Sequence, residues 1–86
     1  MRTDIFLKLM GVFKTRSQAG KACSGGYVTS KGRGLKPSSG VAAGDTLEIV
    51  KPDGRILHLR ITELPASRQV SRKDRGNYCV ITEAEA

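Results

Sequence analysis

Apolar and polar positions follow a helical period early in the chain and an alternating one later. Ile5, Phe6, Leu9, Met10 and, beyond a glycine, Phe13 share one face at 100° per residue, with Asp4 and Lys8 opposite. The spacing predicts a first helix over roughly residues 4–10, capped by Thr3 or Asp4 and broken by Gly11. A second helix is marked at both ends. Thr15 followed by Gln18 is a capping box, and Gly25-Gly26 supplies a left-handed stop, so Arg16–Ser24 should be helical. Ala19, Ala22 and Cys23 fall on one side of it, and their small size permits close packing. Ser17, Lys21 and Ser24 fall on the other, with Arg16 and Gln18 on the flanks. Two short helices joined by a tight connection make an αα corner.

From Tyr27 onward the period is two. Tyr27–Ser30 reads as a short strand, turned by Lys31-Gly32-Arg33-Gly34. Residues 35–40 are extended and loop-like, and residues 41–45 make a second turn. Thr46–Val50 alternates, with Leu47 and Ile49 inward. Pro52-Asp53-Gly54 turns it into the longest strand, residues 55–62, which Pro65 ends. The pattern predicts an α+β domain over residues 1–65 and a tail over 66–86. Ser71-Arg72-Lys73-Asp74 can start a short helix in that tail, while Gly76 and Val80-Ile81-Thr82 oppose a long one, so the chain should then fray.

Composition adds bounds. The chain has 86 residues, 38% hydrophobic and 27% charged, which suits one small globular domain. It has no Trp, so aliphatic side chains must build most of the core. No apolar run approaches about 18 residues, and the Met1-Arg2-Thr3-Asp4 start is not a secretory signal. Cys23 and Cys79 have neither metal-ligand nor disulfide-framework spacing, as in a reduced cytoplasmic protein.

Charge changes the picture more. Residues 1–40 carry eight Lys and Arg against Asp4 alone, whereas residues 41–86 carry seven of each sign. A one-sided excess is the footprint of a polyanion binder. Arg2, Lys14, Arg16 and Lys21 come from the helical region, and Lys31, Arg33 and Lys36 from the hairpin and loop. The start of the second helix adds free N–H groups that suit a phosphate. Arg16 and Arg60 both lie outside the predicted core. Tyr27 reads either as a base-stacking platform or as half-buried strand packing. Catalysis has little support: His58 stands alone in mid-strand, and no nucleophile, nucleotide-loop, cofactor or metal motif accompanies it. A membrane-surface role would call for a long Lys- and Arg-lined amphipathic helix, which the pattern lacks.

Arg2-Thr3-Asp4-Ile5-Phe6-Leu7, Lys14-Thr15-Arg16-Ser17-Gln18-Ala19, Gly26-Tyr27-Val28, Lys36-Pro37-Ser38 and Gly44-Asp45-Thr46-Leu47 together resemble the S-four RNA-binding domain, named for small-subunit ribosomal protein four. The resemblance runs in register over residues 1–50. It implies two helices on a small, strongly bent antiparallel sheet, with RNA against the second helix and first hairpin. It also implies contacts from Arg2, Thr3, Lys14, Thr15, Arg16, Ser17, Gln18, Lys21 and Lys31. Ser30-Lys31-Gly32 departs from the family's usual Val-Asn-Gly. As a domain with only a short tail, the chain is similar to the free-standing bacterial heat-shock and ribosome quality-control members. Its Lys73–Glu83 segment loosely resembles theirs. The expectation is a monomeric, non-enzymatic binder of ribosomal RNA or tRNA on the large ribosomal subunit. The competing expectation is an accessory subunit or regulator that delivers RNA to a separate enzyme.

Overall fold

The computed structural model describes residues 1–84. Its first helix, α1, spans Thr3–Leu9 and begins one residue earlier than the pattern predicts, with Arg2 at the N-cap. No side chain at Arg2 caps it. The first N–H groups, which a helix leaves unpaired, are satisfied from elsewhere. Thr3 N–H donates to the Ser39 carbonyl at 2.8 Å and Asp4 N–H to the Pro37 carbonyl at 3.2 Å. Ile5 N–H donates to the Asp4 carboxylate at 2.8 Å. Val41 N–H to Met1 O and the bridge between Arg2 and Gly40 extend this seam along the chain start.

That seam explains a departure from the expected amphipathic helix. Thr3, Asp4, Ile5, Phe6, Leu7 and Leu9 are all buried, and only Lys8 within α1 is exposed. Asp4 does not face solvent opposite the apolar stripe as the periodicity predicts, because residues 37–41 cover that side.

Gly11, at φ +74°, ends α1 in the left-handed region. Helix α2 then occupies Arg16–Ser24, as its end signals predict. The Thr15 hydroxyl accepts from Gln18 N–H at 3.0 Å. At the far end Gly26, at φ +81°, takes the left-handed position. Gly26 N–H bonds Cys23 O and Tyr27 N–H bonds Ala22 O, the paired closing bonds of a Schellman motif. Ala19 and Cys23 form the buried side, and α2 lies against α1.

Five strands follow: β1 Val28–Ser30, β2 Arg33–Gly34, β3 Thr46–Val50, β4 Ile56–Ile61 and β5 Cys79–Ala84. They form one antiparallel sheet in the order β2-β1-β3-β4-β5. Only Lys31-Gly32 makes the first turn, and Arg33-Gly34 already runs back as β2. Leu47 faces Leu59 and Ile49 faces Leu57 across the β3–β4 pair. With Ile61 and Val28 they bury one sheet face against Phe6, Leu7, Leu9, Met10, Phe13, Ala19 and Cys23. The opposite face is polar, as alternation on an antiparallel sheet requires.

The tail corrects the expected fraying. Arg72–Asn77 forms a 3-10 helix, and β5 pairs with β4 from Ile61↔Cys79 to Ile56↔Ala84. The expected end of the chain beyond residue 84 lies outside the described residues. Leu59, on β4 between Leu47 and Ile81, is 1% exposed. Leu59→Ala should cost about 2–5 kcal/mol by leaving a cavity, whereas Arg60→Ala, exposed on the same strand, should stay within about 0.5 kcal/mol. Urea denaturation midpoints check both values.

Candidate nucleic-acid interface

One buried carboxylate organises the basic surface. Asp4 is 3% exposed, at the positive end of α1, where a negative charge is favoured. Its Oδ1 accepts from Ile5 N–H at 2.8 Å and from Arg2 Nε at 3.2 Å. Its Oδ2 accepts from Arg2 Nη2 and from Arg16 Nε, both at 3.1 Å. Burial alone would raise the carboxyl pKa, but the hydrogen bonds from Arg16, Arg2 and Ile5 N–H outweigh it and hold the group below its ordinary value. The arginines stay partly outside: their side chains are 43% and 53% exposed. An arginine has five N–H donors, and Asp4 takes only one from Arg16, so the guanidinium keeps donors for an external anion.

The rest of α2 is placed by its cap. The exposed Thr15 hydroxyl accepts from Gln18 N–H, so it fixes the helix start and still has its O–H to donate. Ser17, Gln18 and Lys21 are exposed along α2, and Lys14 is exposed just before it. Gln18 and Lys21 line a groove of about 560 Å3 with Tyr27, Lys51, Phe13 and Pro52. Tyr27 is 53% exposed just before β1, and its carbonyl accepts from Val50 N–H of β3 at 2.9 Å, so strand packing and an open ring face coexist. Its ring lies over Gly25, where a Cβ would collide with it.

On the hairpin, Lys31 has φ 52° and Gly32 φ 78°. Both turn residues are therefore left-handed, the geometry that twists a two-residue hairpin correctly. Lysine is a costly choice there, since a non-glycine residue gives up about 1–2 kcal/mol in that region. The position presents its charge at the exposed tip. Ser30 compensates in part for its polarity by donating to the Thr46 carbonyl at 2.7 Å, which ties β1 to β3.

The nine expected contacts therefore separate. Arg2 and Arg16 meet at Asp4, and Gln18 and Lys21 share the Tyr27 groove. Lys31 stands on the turn, while Lys14 lines a different cleft with Lys8. Thr3 is a correction: it is fully buried, and its hydroxyl donates to the Ser39 carbonyl at 2.8 Å, so it cannot face RNA. Arg16 lies outside the core, as expected, but its Nε donates to the buried Asp4 carboxylate, so it also serves the fold. Lys51 was missed. Its ammonium donates to the Val12 carbonyl and sits 4.3 Å from the Phe13 ring centroid, and burial depresses its pKa. No local pattern marks a lysine that follows a strand as the clamp of a helix connection. Burial pushes both cysteine thiols up, which keeps them protonated and unreactive.

Fold and surface together define a small α+β protein with a cationic helix face and a charged hairpin. No family model matches the chain. It is 38% identical over 78 residues to the RQC P-site tRNA stabilizing factor of Helicobacter pylori, covering 91% of this chain and 92% of that protein. The chain belongs to the family of that factor. The solution structure of a hypothetical protein, HP1423, superposes with a TM-score of 0.79 at 36% identity, covering 99% of this chain and all of that one. The trimeric structure of Vibrio cholerae Heat Shock Protein 15 superposes with a TM-score of 0.83 at 24% identity, over 95% of this chain and 81% of that chain, and shows the same fold.

Asp4 gives the site a pH signature. The folded carboxyl titrates below the ordinary aspartate range, so between the folded and unfolded values the unfolded chain binds the extra proton. Its stabilisation is complete above the unfolded pKa and disappears as pH falls through the folded one. Asp4→Asn should cost about 1–3 kcal/mol at pH 7, as for lost charge-assisted hydrogen bonds whose partners remain partly solvated. The gap from the native protein should narrow towards pH 3, as urea melts at both pH values will show.

Proposed function

We propose that this chain is a cytoplasmic RNA-binding protein of ribosome quality control that acts on tRNA at the large ribosomal subunit. In this reading residues 1–50 form an S-four domain, and the protein works by binding rather than turnover. The observation that carries it is the pair of arginines set on Asp4 beside the start of α2, on a chain 38% identical to a factor named for stabilising P-site tRNA. A phosphate at this position meets the unused N–H groups of Arg16, those of Arg2 and the N-terminal end of the α2 dipole. Because Asp4 already fixes both side chains, less rotamer entropy is lost on binding. Lys21 and Gln18 continue the contact along α2, with Tyr27 presenting a ring face to an unpaired base.

The test is tRNA and ribosomal RNA binding by purified protein, with sedimentation alongside ribosomal subunits in lysate. Arg16→Ala should weaken tRNA binding by about 1–3 kcal/mol. It should also lower stability, because it strips Asp4 of a partner, so affinities must be compared at equal folded fraction. Lys21→Ala should leave stability unchanged and reduce the slope of log affinity against log salt by about 0.7–0.9, one phosphate contact. Arg60→Ala should alter neither. Equal losses for Arg60→Ala and Arg16→Ala would move the site elsewhere. Co-purification with an enzyme in place of ribosomal subunits would favour the accessory-subunit alternative.

A further inference from the structure

A second cationic feature lies away from the Asp4 site. Between the α1–α2 connection and the segment leading into the 3-10 helix runs an open cleft of about 880 Å3. Lys8 and Lys14 stand on one wall, and Arg68, Arg72 and Arg75 on the other. Asp74 is the one acid among its lining residues, and its Oδ2 already accepts from the Ser71 hydroxyl at 2.7 Å. The sequence hides this cleft, because residues 41–86 sum to neutral. The acids that balance the sum, such as Glu48, Asp53 and Glu63, do not line the cleft.

The walls are fixed to each other. Arg75 Nε donates to the Leu9 carbonyl at 3.2 Å, one of the carbonyls that the end of α1 leaves open. The Arg75 guanidinium lies against Gly11, where a Cβ would collide with it. Gly11 therefore serves twice, as a left-handed break and as the floor on which Arg75 rests. This contact accounts for Arg75. It leaves Lys8, Lys14, Arg68 and Arg72 gathered around one cleft, where mutual repulsion costs the fold stability and a polyanion relieves it.

We propose that this cleft is a second RNA site, which grips a phosphodiester backbone and is separate from the Asp4 surface. The inference rests on the RNA-binding reading above. Backbone rather than base is the fitting target, because cations dominate the walls and the lining offers no exposed ring comparable to Tyr27. Lysines act there as point charges and arginines as forks on phosphate oxygens. Lys14, two residues before Arg16, stands where the two cationic regions meet, so one RNA strand or two adjacent ones can engage both.

Double charge reversal, Arg68→Glu with Arg72→Glu, tests the proposal. Both residues are exposed, and a glutamate at the first position of the 3-10 helix suits its dipole. The probe is an unmodified tRNA transcript, with Lys21→Glu as the comparison on α2. The expected result is at least a tenfold loss of affinity for the cleft variant and a salt slope lower by about 1.4–1.8, two phosphate contacts. Ultraviolet crosslinks to the peptide holding residues 68–75 should disappear with it. If Lys21→Glu weakens binding while the cleft variant matches the native protein in affinity and slope, the cleft proposal is overturned and the RNA reading stands. If the native protein binds neither tRNA nor a ribosomal RNA fragment, the RNA reading fails and takes the cleft with it. Should the double reversal unfold, Lys8→Gln with Arg68→Gln removes two charges without reversal, and an unchanged salt slope then overturns the proposal. Polyglutamate binding that depends on Arg68 and Arg72, with RNA binding unaffected, overturns it in favour of an acidic protein partner.

Discussion

A carboxylate removed from water must be paired, and most of this fold's N-terminal half follows from how Asp4 is paired. Burying it without partners would cost several kcal/mol. Its partners are a helix N–H, Arg2 from the chain start and Arg16 from the next helix. Together they fix three things at once: where α1 begins, how α2 is oriented against it and where two guanidinium groups reach the surface. The backbone seam from residues 37–41 closes over the same spot and seals it. Stability and the candidate function therefore share one atom group. In consequence the affinity of an arginine variant can be interpreted only alongside its stability.

The parts of the fold legible in the sequence are those set by neighbours along the chain. The Thr15–Gln18 cap, the Gly26 stop and the β3–β4 turn at residues 52–54 each rest on a few adjacent residues, and each stands where the pattern puts it. What was illegible depends on distant partners. Helical periodicity alone sends Asp4 outward, because the loop that covers it and Thr3 lies more than thirty residues downstream. Strand β5 falls where the pattern predicts fraying chain, because its partner β4 is not its neighbour in sequence. Val80 and Ile81 remain 48% and 41% exposed, so the strand is held by its ladder to β4 more than by burial. Of the candidate contacts, the exposed polar face of α2 was legible from spacing. The cleft was not, because summing charge over half a chain cancels a local concentration.

Glycines and small residues set how closely the basic groups approach the scaffold. Gly11 admits the Arg75 guanidinium, Gly25 admits the Tyr27 ring, and Ala19 and Cys23 let α2 settle onto the core. None of these residues touches a ligand in the proposed role. They govern the placement of a cleft wall, an aromatic ring and a cationic helix, so substitutions at them act on binding through geometry rather than charge.

The first hairpin has a kinetic consequence. Lys31 sits on a two-residue turn, with its charge held out on strands β1 and β2 rather than folded back on a helix. A cation so placed is felt by an approaching polyanion before any short-range contact forms, and rim charges of that kind act mainly on the rate of encounter. In the proposed role Lys31 governs how often RNA arrives in a productive orientation, and Arg2 and Arg16 govern how long it stays. The strained backbone at the turn then sustains capture speed, which an equilibrium titration registers only as affinity and a rate measurement separates from residence time.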